Sequence, residues 1–74
     1  MKELTNREKE VLQFIISFRS EHNYSPSFRE ICAGCYLGSL NSAKYYVNQL
    51  VIKQAIDYVP RQARSITIKF EQVV

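Results

Sequence analysis

Residues 39–49 read SLNSAKYYVNQ, and the side chains that could do chemistry there are uncharged or basic. Asn41, Ser42, Lys44, Tyr45, Asn48 and Gln49 recur at the spacing of one helical face. Ala43, Val47, Leu50 and Val51 form the apolar stripe behind it, with Tyr46 beside them. The polar face can donate, accept and stack, and it carries no acid. A helix kept polar only for solubility usually alternates acids with bases. Against base edges in a major groove, Asn and Gln suit adenine, Ser suits several bases, and Lys suits guanine or a phosphate. Asn41 and Ser42 fall in the first turn, the part that a recognition helix pushes deepest. The plain alternative is a solvated face that binds nothing.

Three other places could touch an anion. Arg61 and Arg64 flank a short loop, where they suit phosphates or an adjacent minor groove; otherwise they keep a hairpin tip soluble. Ser27 and Arg29 stand at the start of a short helix whose free amides could hold a backbone phosphate, beside an ordinary capping role. Lys53 closes the third helix, where it suits the negative end of the dipole and lies near enough for a phosphate.

Cys32 and Cys35 make a C-A-G-C run, but zinc needs four ligands, and there is no second pair and one histidine, His22. They read as small thiols on a helix and its turn. A cysteine nucleophile would need His22 to reach one of them. No glycine-rich phosphate loop or carboxylate constellation is present, and a chain of 74 residues is too short to enclose a usual substrate cleft of several hundred Å³. No enzyme activity, metal, cofactor or small-molecule ligand is expected.

These residues need elements to hold them. Thr5 with Glu8 is a capping box, and Val11, Leu12, Ile15, Ile16 and Phe18 give a helical stripe, so the first helix should span about 5–22. Ser27 with Glu30 opens a second helix, stopped near Cys35 by Gly34 and Gly38. Ser39 caps a third helix that runs to about Gln54. Beyond it Ile56, Tyr58, Ile66, Ile68 and Phe70 alternate with polar residues, as strands at about 56–59 and 65–70 around a loop 60–64. Such a hairpin is marginal alone and must pack on the helices. The expected fold is mostly α with a small β-hairpin: a three-helix winged helix-turn-helix forming one domain over 1–74.

Composition agrees. The chain is 46% hydrophobic and 23% charged, which suits a globular domain. No apolar run approaches a membrane span, the start carries no signal-peptide core, and two cysteines suit a reducing compartment, so a cytoplasmic protein is expected. Residues 1–30 hold five bases and five acids, so the net +3 falls wholly on residues 31–74. A local excess of this kind favours an anionic partner.

Taken together, Met1-Lys2-x-Leu4-Thr5-x-Arg7, Glu10-Val11, Pro26 with Glu30-Ile31, Ser39-x-Asn41-x-Ala43, Leu50, Ile56 and the Ile66 strand resemble the N-terminal DNA-binding domain of the LexA repressor family, bacterial winged helix-turn-helix proteins. The resemblance covers almost the whole chain. It implies double-stranded DNA as partner and Ser39, Asn41, Ser42, Lys44 and Tyr45 as base readers, with Asn48 added from the polar face. A palindromic operator bound by a homodimer would supply tight binding. Two departures stand out. The family carries acids where this chain has Lys44 and Tyr45, so its operator should not transfer. The family also has Gly in the turn before the first strand, where this chain has Gln54-Ala55. LexA repressors continue into a domain that dimerises and cuts the chain with a Ser–Lys pair; the residues here end at Val74, and no peptidase activity is expected of them. The leading expectation is a transcriptional regulator, a repressor, that reads DNA sequence. The runner-up is a winged-helix module that binds protein through aromatics among Phe14, Phe18, Tyr24, Tyr36 and Tyr45.

Overall fold

Thr5 starts the first helix from both sides of its backbone. Its hydroxyl accepts from the Glu8 N–H at 3.2 Å, and the Glu8 carboxylate accepts the Thr5 N–H at 2.9 Å. In the computed structural model, which describes residues 3–62 and 64–69, this gives α1 over Asn6–His22. Ser27 and Glu30 repeat the device at α2, Phe28–Gly34, and the Ser39 hydroxyl caps α3, Leu40–Ile52. A two-stranded antiparallel hairpin follows, β1 Ile56–Asp57 and β2 Thr67–Ile68, with Ile56 opposite Ile68.

The core lies where the three helices meet the base of the hairpin. Val11 and Ile15 of α1, Ile31 of α2, Ala43, Val47 and Leu50 of α3, and Ile56 of β1 are wholly buried, and Ile66 is nearly so. Each large aliphatic side chain among them contributes about 1.5–3 kcal/mol by leaving water. Ile68 is half-buried against this core, whereas Phe70 lies outside the described residues.

The hairpin ladder is shorter than the expected strands 56–59 and 65–70. Side chains take over its outer rungs. The Asp57 carboxylate accepts the Tyr58 N–H at 2.9 Å, and the Ser65 hydroxyl accepts from the Val59 N–H and donates to the Val59 carbonyl, at 2.9 and 3.0 Å. These bonds hold the loop closed without strand geometry.

The second helix stops at Cys35, as its glycines suggested, but neither glycine supplies the left-handed turn. The left-handed residue after α2 is Tyr36, with φ 56°, and no glycine has positive φ. The Leu37 N–H then returns to the Cys32 carbonyl at 3.0 Å. Gly34 is needed for space instead: a Cβ there would overlap the Phe14 ring of α1. After α3 the left-handed residue is Gln54, φ 65°, and the Ala55 N–H reaches the Leu50 carbonyl at 2.9 Å. The absent turn glycine thus leaves a side chain in a conformation that L-residues adopt at a cost.

Candidate nucleic-acid interface

α3 is held by its start and by its inner stripe. The Ser39 hydroxyl accepts from the Ser42 N–H at 3.3 Å, and the Cys32 thiol of α2 donates to the Ser39 carbonyl at 2.9 Å. The second contact ties the first turn of α3 to α2. With Ala43, Val47 and Leu50 turned into the core, Ser39, Asn41, Lys44, Tyr45 and Asn48 are exposed. Ser42 and Gln49 sit at the edge of this face, half-buried. The Tyr45 ring packs edge-on to Tyr46 at 5.1 Å between centroids. Tyr58, just beyond β1, donates its hydroxyl to Asn48 Oδ1 at 3.3 Å, so the wing and the outer face of α3 touch.

Tyr58 also lines a cleft of about 370 Å³ between the start of α2, Lys44 of α3 and the wing. Ser27, Lys44, Arg61 and Arg64 line it, over a floor that includes Phe28, Tyr58 and Ile66. Phe28 and Tyr58 meet edge-on at 5.7 Å. No acidic residue is among those lining the cleft. Its volume exceeds what the chain length suggested, because it is an open groove formed by the projecting hairpin rather than an enclosed cavity.

The basic residues divide into two sets. Arg29, Lys44 and Arg61 are exposed and make no ion pair among the described residues. Arg64 and Lys53 are held elsewhere. The Arg64 guanidinium donates to both oxygens of Glu30, at 2.8 and 3.0 Å, and to the Ser25 carbonyl at 3.1 Å, and lies 4.6 Å above the Tyr24 ring centre. It braces the wing against the α1–α2 connection. Arg64, helped by the Ser27 N–H, holds the Glu30 carboxyl at about 2, well below the usual range. This carboxylate occupies the start of α2, where Ser27 serves as its cap.

Lys53 donates to Glu8 at 2.6 Å across 45 residues of sequence, with only 15% and 4% of the two side chains exposed. Lys53 foremost, then the Thr5 backbone, lowers the Glu8 pKa against the opposing effect of burial. A cation so placed ties the end of α3 to the start of α1. Sequence reasoning missed this pair, as it missed Leu40, an exposed apolar residue in the first turn of α3.

Of the two thiols, only Cys32 serves this surface, through its bond to the Ser39 carbonyl. Cys35 is buried, which raises its pKa, and Cys32 is half-buried. His22 stacks on Phe18 at 4.1 Å. No group of three His, Cys, Asp or Glu residues that could hold a metal occurs among the described residues. None of their helices is long and apolar enough to cross a membrane.

Three helices, a short antiparallel hairpin and an acid-free outer face on the third helix define a winged helix-turn-helix protein. The LexA DNA binding domain family model matches residues 1–65, and the chain belongs to that family. It is 38% identical over 68 residues to the LexA repressor of Koribacter versatilis, covering 92% of this chain and 32% of that protein. It is 43% identical over 68 residues to the LexA repressor of Thermosipho africanus, covering 92% of this chain and 34% of that protein. The chain thus spans about a third of the length of the curated relatives it matches.

Proposed function

We propose that this domain reads double-stranded DNA for a LexA-like transcriptional regulator, a repressor, in the bacterial cytoplasm. The outer face of α3 enters the major groove, where Asn41, Ser42, Lys44, Tyr45 and Asn48 meet base edges and Ser39 sets the helix start. The wing straddles the adjoining backbone. The observation that carries this reading is continuity: the acid-free face of α3 runs into an acid-free cleft rimmed by Lys44 and Arg61. A strand of phosphates laid along that path meets cations and no carboxylate.

Among the backbone contacts, Arg61 and Arg29 supply free charge, Ser27 supplies a hydroxyl, and Lys53 and Arg64 act mainly as braces. A single module buries only about 600–1,000 Å² on DNA, so tight binding calls for two copies on a palindromic site. A protein-binding role would be favoured by one shared aromatic patch. Ring contacts instead join Phe14, Phe18 and Tyr24, pair Tyr45 with Tyr46, and leave Tyr36 touching no other described ring.

Selection from a random duplex pool, followed by titration of the consensus, tests the reading. Asn41→Ala should cost about 1–3 kcal/mol on the consensus and flatten preference at one position. Arg61→Ala should weaken all duplexes alike and reduce the salt slope by about 1. A pool that yields no consensus, or an Asn41→Ala protein with unchanged preference, refutes it.

A further inference from the structure

Leu40 is the one residue of the first turn of α3 whose exposure its chemistry does not explain. It is 44% exposed, whereas Val51 further along the same helix is half-buried against the core. A lone exposed leucine is ordinary. This one lies between the capping Ser39 and the exposed Asn41, on a turn fixed by the Ser39–Ser42 bond and by the Cys32 thiol. It is therefore presented rigidly, at the deepest-reaching part of a recognition helix.

The major-groove edges of the four base pairs carry one apolar feature, the C5-methyl group of thymine. Donors and acceptors are already available on the same helix from Asn41, Lys44 and Asn48, and a leucine adds nothing to hydrogen bonding. We propose that Leu40 reads a thymine through its methyl group, so that the half-site holds a thymine beside the base met by Asn41. This rests on the DNA-reading function proposed above and specifies one letter of its target.

Burying one methyl group is worth about fourfold in affinity. The test replaces each thymine of the selected consensus, one at a time, by deoxyuridine, which lacks only that methyl. Affinity is read by fluorescence anisotropy at fixed salt with the 74-residue chain. At one position deoxyuridine should weaken binding about fourfold, and Leu40→Ala should bind the two duplexes equally while melting like the parent. Leu40→Ser provides a second variant with the same expectation. The inference falls if every deoxyuridine duplex binds the parent chain as its thymine counterpart does. It also falls if the methyl effect persists in the Leu40 variants, for instance because Tyr45 makes the contact. A consensus without methyl dependence overturns this inference alone, whereas the lack of any consensus overturns it together with the DNA reading.

Discussion

Removing the Lys53 ammonium should damage stability rather than DNA affinity. The Glu8–Lys53 pair is 2.6 Å long and nearly dry, with 4% of the glutamate and 15% of the lysine side chain exposed. Breaking a buried pair by deleting one partner costs about 3–5 kcal/mol, because the other charge is left unpaired. Lys53 keeps some hydration, which places Lys53→Met near the low end, at about 3 kcal/mol. A chain of this size has roughly 4–11 kcal/mol in total. Its melting temperature should fall by on the order of 15 °C. Glu8→Gln should behave similarly, although its amide oxygen can still accept the Thr5 N–H. The double variant should regain much of the loss, with a coupling above about 1 kcal/mol. Paired thermal and urea melts of the four proteins measure it. The pH dependence has a definite sign. The Glu8 pKa is lowered in the folded chain, so its contribution is present above the ordinary carboxylate value and is lost as pH falls through the folded value. Lys53→Met should lose that acid-side decline. Unchanged melting, zero coupling and a salt slope reduced by about 1 would together show Lys53 to be a phosphate contact, and would refute the reasoning.

Three further outcomes follow from the geometry. Gln54→Gly should stabilise by about 0.5–1 kcal/mol, since relief at φ 65° exceeds the added unfolded-state entropy; a melting temperature that falls would contradict this. Gly34→Ala should destabilise by about 1–3 kcal/mol, because its methyl must displace the Phe14 ring, and pairing it with Phe14→Leu should recover part of the loss in the same melt. The Glu30 carboxyl should titrate at about 2 by NMR and move upward in Arg64→Ala. Its stabilising effect should therefore be present above the ordinary carboxylate value and disappear as pH approaches about 2; an unmoved Glu30 would remove the brace from the account.

What could be read from the residues follows the range over which each interaction acts. Both capping boxes join residues three apart, and the buried stripes of α1 and α3 repeat within one helix, so the sequence displays them directly. The polar face of α3 was legible for the same reason: Asn41, Lys44, Tyr45 and Asn48 share a face by periodicity alone. The turns were less legible. Gly34 and Gly38 showed where the second helix stops but not how: Gly34 makes room for Phe14, and Tyr36 and Gln54 take the left-handed positions. A glycine kept for space and one kept for backbone freedom look alike until the neighbouring helix is in place.

Charge was legible in amount and not in destination. Lys53 and Arg64 count toward the positive excess of residues 31–74, yet their partners, Glu8 and Glu30, lie 45 and 34 residues earlier. Both partners are the third residues of their helices and close capping boxes, so each carboxylate works twice, first for its own helix and then for a distant cation. One lysine closes the α1–α3 contact, and one arginine fastens the wing to α2. The cations that remain unpaired around the cleft, Lys44 and Arg61, come from the recognition helix and from the wing that Arg64 holds in place. The internal pairs thus position the free charges. A wing with only two paired residues in each strand needs such a brace, because its own ladder supplies little rigidity.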